Sequence, residues 1–534
     1  MQDHSDTPSA RTAPSLRAAL LLSVVALPLL WIYTYGIRDQ APKWEEPRRC
    51  MVAAEMILRG DYVVPRVMGE IYRNKPPLYD WLIAATAGFD AGNVGAVQGR
   101  GISLAALLGI CVLLAMAGSG GQRRRDLLPA LFMLAFALVV QNGRAGETDV
   151  LFCLWLTAAV VSFEAGRRSG SGWVQWTLSQ GFVGLAALTK GLSPLFVYPP
   201  VLWLALRQPA TWRPRPVPML AGLALAAAVV ASWLVPYSRL APVAELQGRW
   251  IEEILKLYVR PGWSGALRHV VVYPVLVLLV AAPWSLLPLA AVRGVRRAAL
   301  RATLSDPWIR LCAAQATWIA LVYMFVPGVR GRYLMPMLPF VAVVAARFVR
   351  HAEIRPGAWA TRLGRMLAGR WALWISASLG LIAIWVGGRD RLPAHPYPLV
   401  AASGVIVVTL AALFWMRSRQ PPGPVPALLG LAMVYAAVYV GVAETGRDAR
   451  YTRLAEIGRE FAQLVPEEAA VVCDCHDSAG RKVAFALMQG LRRPLASRDR
   501  TGPHYRVLHT ADAPAADARR LHSAEGFTMW LVDP

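Results

Sequence analysis

The sequence predicts an all-α polytopic membrane protein of about thirteen transmembrane helices, followed by a small C-terminal α/β domain. Two observations predict the membrane part. Of 534 residues, 56% are hydrophobic and only 17% charged, with a mean hydropathy of +0.41, whereas an ordinary soluble domain carries about a quarter charged residues. Apolar runs long enough to cross a bilayer recur along the chain. A third observation predicts the extra domain: the composition turns charged and globular from Thr445 onward. The net charge of +23 does not indicate nucleic acid, because the arginines fall in short loops between apolar runs, where they orient spans. The six cysteines make no disulfide framework, and a bridge between Cys473 and Cys475 would be strained.

In chain order, residues 1–15 form a polar cytoplasmic tail, and 16–444 the membrane domain. The first span, Leu16 to Tyr35, has no convincing cleavage site after it and is read as a span, not a signal peptide. The opening loop, 37–97, contains WEEPRRCMVAAEMILRGDYVVPRVMGEIYRNKPPLYDW from Trp44 to Trp81. Pro47 suits a first helical position, Glu45 and Glu46 suit the positive end of the helix dipole, and Gly60 ends the helix after Arg59. Val52, Ala53, Met56 and Ile57 make an apolar stripe, and Arg48, Glu55 and Arg59 a polar one. Such a helix is expected to lie in the membrane interface.

Further spans follow: 101–117, 127–140, 150–165, 173–188, 192–206, 219–237, 270–292, 309–326, 334–346, 371–386, 399–416 and 427–442. An odd number puts the termini on opposite sides. Every arginine-dense loop then falls on the cytoplasmic side. The loops left outside are 37–97, 141–149, 188–192, 238–269, 327–333 and 387–398, and they hold nearly every unusual polar motif. The expected location is the bacterial inner membrane, N-terminus cytoplasmic and C-terminus periplasmic. In the last segment, 445–534, a helix is expected around 451–464, a strand at 469–472, a helix around 483–491 and a final strand at 527–532.

Each candidate residue has a plain structural role beside a chemical one. Glu45 and Glu46 serve either the helix dipole or proton transfer. Asp149 suits a helix N-cap and also a second carboxylate at the same membrane level, where a pair can move protons or stabilise a cationic sugar carbon. Lys75, Lys190, Arg330 and Arg332 serve either as anchors to lipid headgroups or as contacts to a substrate phosphate. Arg48 joins that substrate-binding set, and Tyr333 adds a hydroxyl donor. The run from Cys473 to Asp477 resembles metal ligands, but a single cluster without partners reads better as a strand end with a polar loop. No metal and no cofactor are expected.

The order of these motifs resembles the polyprenyl-phosphate-sugar-dependent glycosyltransferases of the GT-C class, in the branch of aminoarabinose transferases and protein O-mannosyltransferase-like proteins. The resemblance rests on Glu45-Glu46-Pro47-Arg48, Glu55 to Tyr62, Pro65 to Gly69, Asn74-Lys75-Pro76-Pro77-Leu78 with Trp81, Thr148-Asp149, Leu188 to Gly191, and Arg332 to Pro339. It implies transfer of a sugar from a polyprenyl phosphate to an envelope lipid, glycan or protein, with inversion if one displacement occurs at the anomeric carbon. It further implies Glu45 as base for the acceptor hydroxyl, with Glu46 as the fallback, Asp149 as the second acid, and Lys75 on the donor phosphate. Two departures stand out. Glu45 replaces the family's usual Asp, and Asn74 and Ile254 stand where some relatives carry a Glu and a His that bind metal. Losing both ligands argues against a metal site and against lipid A as acceptor. The rivals are a transporter of lipid-linked sugars, whose charges would line the spans, and an inactive member that only binds the lipid.

Overall fold

The computed structural model describes residues 27–532 except 39, 41, 119–125, 170–171, 208–215, 260–261, 288–292, 355–401, 407–408, 410–423, 441–444, 476, 500–502 and 513–517. The expected tail 1–15, most of the first span, the span 371–386 and most of 399–416 lie outside the described residues.

Helices dominate. Among the described residues, five are long and apolar enough to cross a bilayer: Ala96–Ala117, Thr148–Ser169, Pro216–Leu240, Gly262–Val280 and Gly331–His351. Their burial divides them. In Thr148–Ser169, 72% of the apolar window is buried, against 17% in Pro216–Leu240 and 11% in Gly262–Val280. The first is core. The other two expose Leu220, Leu223, Val271 and Leu279, as lipid-facing helices must. Thr148–Ser169 packs on both Ala96–Ala117 and Trp173–Lys190.

Two stretches expected as single spans are broken. Residues 127–140 form the short helices Leu128–Leu134 and Ala137–Asn142, parted at Phe136, whose backbone is extended. Residues 192–206 form Ser193–Val197 and Pro199–Leu206. The break falls at Tyr198, where the following Pro199-Pro200 removes helical N–H donors and crowds the preceding residue. The stretch 238–269, expected as a loop, holds the helix Val243–Val259 and the start of Gly262–Val280.

The opening helix is Glu46–Arg59, with Pro47 in its first turn and Gly60 left-handed at its end. It does not lie free in an interface. Ten of its fourteen residues are buried, and the C-terminal helix Ser478–Leu491 packs on it. The supposed polar stripe is a set of grips. Glu55 accepts from the Gly69 N–H at 3.1 Å and pairs with Arg59 at 3.2 Å. Arg59 donates in turn to the Leu495 carbonyl. Next, Arg66–Val67 and Glu70–Ile71 pair antiparallel around Met68 and Gly69, both at positive φ. A Cβ on Gly69 would lie 2.6 Å from the Ala496 backbone. Glycine is needed there twice, for its turn and for the close approach.

The C-terminal segment is α/β, as expected. The helices Thr445–Gln463 and Ser478–Leu491 pack on each other and share an apolar core with a four-stranded sheet ordered Val471–Cys473, His504–His509, Phe527–Val532, Ala518–Ala524. The first pair is parallel and the others antiparallel. The strands 504–509 and 518–524 are additions to the sequence reading: each mixes Arg and His with few apolar residues, so neither shows a clear alternation. Cys473 ends a strand, and Asp477 caps the next helix by accepting from the Ala479 and Gly480 N–H groups.

Candidate active site

Four stretches distant in sequence meet in one polar cavity of about 160 Å³. The opening loop contributes Glu45, Arg48, Arg49, Tyr72, Asn74 and Lys75. Glu147 and the first two residues of Thr148–Ser169, Thr148 and Asp149, make the second stretch, the end of Trp173–Lys190 contributes Lys190, and the last contributes Arg330, Arg332 and Tyr333. These are four of the loops that charge segregation assigned to one side. A fifth, 238–269, braces the first: Arg249 donates to the Asn74 side chain at 3.0 Å, and Trp250 to the Arg73 carbonyl at 2.9 Å.

Local sequence explains the convergence. Pro76-Pro77 stiffens the turn carrying Lys75 and leads into the helix Leu78–Thr86. Gly99 and Gly146 let the Ala96–Ala117 helix approach the turn 143–147, since a Cβ on either would lie about 3.1–3.2 Å from the other's backbone. Arg144 anchors that turn by donating to the Ile32 and Tyr35 carbonyls.

Of the nine residues nominated from sequence, eight line the cavity: Glu45, Asp149, Lys75, Arg48, Lys190, Arg330, Arg332 and Tyr333. Glu46 does not. It is 1% exposed, and both its oxygens are taken: by the Arg100 guanidinium at 3.0 and 2.7 Å, by the Gly146 N–H at 2.7 Å and by the Lys43 N–H at 2.7 Å. Burial alone would raise its carboxyl; Arg100 and the two N–H groups outweigh that and hold it below its ordinary value. A carboxylate so occupied cannot reach an acceptor hydroxyl.

Glu45 faces the cavity without capping its helix. Arg48 pairs with it at 2.6 Å, and Arg481 of the C-terminal domain approaches to 3.7 Å. Against partial burial, Arg48, Arg481 and Arg49 lower its carboxyl, so Glu45 is ionised at neutral pH. Asp149 is not a helix N-cap. It sits inside the first turn of Thr148–Ser169, and Lys190 Nζ meets it at 2.5 Å. Lys190 is therefore no headgroup anchor: it is buried, with the Phe152 and Tyr333 rings 5.2 and 4.9 Å away.

Five lining residues escaped the sequence reading. Arg49 pairs with Asp80 at 3.2 Å and donates to the Tyr72 hydroxyl, which fixes one wall. Asn74 was read only as a lost metal ligand. Thr148 and Glu147 stand beside Asp149. Glu147 is 3% exposed; burial pushes its carboxyl up to about 7, against the pull of Arg332, which donates to Oε2. Its place two residues before Asp149, in a turn at the same level, was the signal available.

The fold and the site together define a helical membrane protein with a charged cavity, its opening helix packed against an α/β C-terminal segment. The structure resembles that of ArnT from Cupriavidus metallidurans in the apo state, with a TM-score of 0.71, 18% identity, and 97% and 98% of the two chains covered. The same protein bound to undecaprenyl phosphate matches with a TM-score of 0.65 over 96% and 98%. In sequence, the family model described as dolichyl-phosphate-mannose-protein mannosyltransferase matches residues 74–235. An undecaprenyl phosphate-alpha-4-amino-4-deoxy-L-arabinose arabinosyl transferase from Sodalis glossinidius is 26% identical over 79% of this chain and 76% of its own. One from Aeromonas salmonicida is 26% identical over 68% and 64%. The resemblance to GT-C glycosyltransferases of the aminoarabinose transferase branch is borne out.

Proposed function

We propose that the protein is a membrane glycosyltransferase that moves a sugar from a polyprenyl phosphate to an envelope acceptor at this cavity. The observation that carries the reading is the charge of the lining: six cationic side chains, Arg48, Arg49, Lys75, Lys190, Arg330 and Arg332, face three carboxylates, Glu45, Glu147 and Asp149. The cationic side chains of the lining outnumber its carboxylates, which suits a lipid phosphate. The undecaprenyl phosphate bound by the relative with the same fold is such an anion.

In the proposed reaction Glu45 takes the proton of the acceptor hydroxyl as its oxygen attacks the anomeric carbon. The bond from that carbon to the phosphate oxygen breaks, and the phosphate leaves with the electron pair. One displacement inverts the anomeric centre. Lys75 and Arg332 hold the leaving phosphate, with Arg330 and the Tyr333 hydroxyl beside them. Arg332 donates to Glu147 Oε2 and holds Nε 3.9 Å from Asp149 Oδ2; its planar fork carries further N–H donors that suit an anion. Asp149 fixes Lys190 and balances the positive field. The reading includes thirteen spans in a bacterial inner membrane, with the cavity and the C-terminal domain on the periplasmic side.

Binding of undecaprenyl phosphate to purified protein tests this. Lys75→Ala is expected to weaken it by about 1.5–3 kcal/mol, the worth of a charged hydrogen bond. Equal affinity of variant and wild type would reduce Lys75 to a headgroup anchor. Mass spectrometry of envelope glycolipids and glycoproteins from a deletion strain identifies the acceptor.

A further inference from the structure

Glu147 has one oxygen committed and one open. Oε2 receives the Arg332 guanidinium. Oε1 is buried, and no described residue donates to it. The residue lines the cavity and is almost wholly shielded from solvent. A buried acceptor left unmet is costly, so a ligand that meets Oε1 with a donor is favoured in this cavity. The position of that oxygen narrows the choice. Arg332, on the other oxygen of the same carboxyl, is a phosphate contact in the transferase reading, on which this inference rests. The sugar of a polyprenyl-phosphate donor is joined directly to that phosphate. An oxygen one guanidinium away from the phosphate therefore lies beside the sugar ring.

We propose that Glu147 is a donor-sugar-binding residue, whose Oε1 accepts a hydrogen bond from a ring hydroxyl or ammonium group of the transferred sugar and so selects among donors. Sites that hydrogen-bond a substrate hydroxyl or amine reject analogues lacking it far more strongly than apolar pockets reject a missing methylene. The carboxyl suits both candidate groups. Ionised, it accepts from an ammonium or a hydroxyl. Arg332 also dictates what Glu147→Gln does: the amide oxygen turns to the guanidinium, and the amide nitrogen, a hydrogen-bond donor, takes the place of Oε1.

The test compares two kinds of ligand on the full-length, detergent-purified protein. One is bare undecaprenyl phosphate. The other is a panel of undecaprenyl phosphates bearing 4-amino-4-deoxyarabinose, arabinose or mannose. Wild type is expected to bind at least one sugar-bearing donor more tightly than the bare lipid. Glu147→Gln is expected to lose about tenfold or more in affinity for that donor while holding bare undecaprenyl phosphate within about twofold; the second measurement also certifies the fold. A parallel loss on both ligands would overturn the proposal and leave Glu147 as a support for Arg332. No loss on either would overturn it as well, with the transferase reading intact. Wild type that binds neither ligand would sink that reading and this inference together.

Discussion

Glu45 and Glu46 are neighbours in sequence, yet they belong to two polar networks of opposite design. The network of Glu46 is closed. Arg100 spans its carboxylate and also donates to the Ile37 and Gln40 carbonyls at 3.0 and 2.8 Å, and Gly146 and Lys43 supply the remaining N–H groups. This network ties the opening loop to the Ala96–Ala117 helix and to the turn before Asp149. The network of Glu45, Glu147, Asp149 and Arg332 is open. It borders a cavity, and it keeps Glu147 Oε1 and Arg332 Nε without hydrogen-bond partners among the described residues. A saturated network holds geometry; an unsaturated one leaves groups that a ligand can meet. Similar residues serve both purposes, and the difference lies in whether every lone pair and proton has been assigned within the protein.

The contrast is broken most directly at the two neighbours. Glu45→Gln is expected to leave folded protein whose sugar transfer falls by roughly a hundred- to ten-thousand-fold, the usual worth of acid–base assistance; Asp149→Asn, which releases Lys190, is expected to lower transfer as well. Glu45→Asp is the control that installs the shorter acid the resemblance implies. Wild-type turnover in Glu45→Gln would remove Glu45 as base, and Glu147, not Glu46, would be next to test. In the closed network the loss should fall on folding. Arg100→Ala leaves Glu46 buried and uncompensated, at a cost of about 3–5 kcal/mol, read as reduced yield and a lowered thermal midpoint in detergent. Normal stability with lost activity would show that the closed network is part of the chemistry.

A smaller effect sharpens the same contrast through pH. Glu46 is held below its ordinary 4.5, so the stability it supplies is present above that value and is lost as pH falls through its folded value. Glu147 is raised to about 7. Its contribution is complete below 4.5, while the carboxyl is protonated in both states, and is lost as pH rises through about 7. Glu147→Gln should therefore gain thermal stability relative to wild type between about pH 5 and about pH 8. Glu46→Gln should flatten only the acid limb. Parallel pH curves for wild type and Glu147→Gln would show that this carboxyl is not destabilised by ionisation in the folded protein.

Much of this was legible in the sequence because membranes punish misplaced charge. Arginine segregation sorted the loops by side, and the four loops that build the cavity were all assigned to the same one. Pro47 and Gly60 marked both ends of the opening helix. What stayed hidden was which partner each charge finds. Glu45 and Glu46 look alike in a string of letters, and only the approach of Arg100, made possible by Gly99 and Gly146, separates them. Lys190 reads as a headgroup anchor until Asp149 is found beside it. The breaks at Phe136 and Tyr198 were obscured by apolar composition, which measures length without reporting continuity. The grips of the C-terminal domain on Arg59, Gly69 and Glu45 join the two ends of the chain, and no local pattern reports them.

Those grips have a consequence in time. Arg59 and Leu495 are 436 residues apart in sequence. At roughly 5–20 residues per second, a ribosome that has made Glu45 needs tens of seconds more to reach Arg481. During that interval the opening helix lacks the cover that buries it and the arginine that approaches its carboxylate. The opening helix gains that cover only when the C-terminal segment has been synthesised and has docked on it, so a shorter chain carries every lining residue of the cavity without that cover.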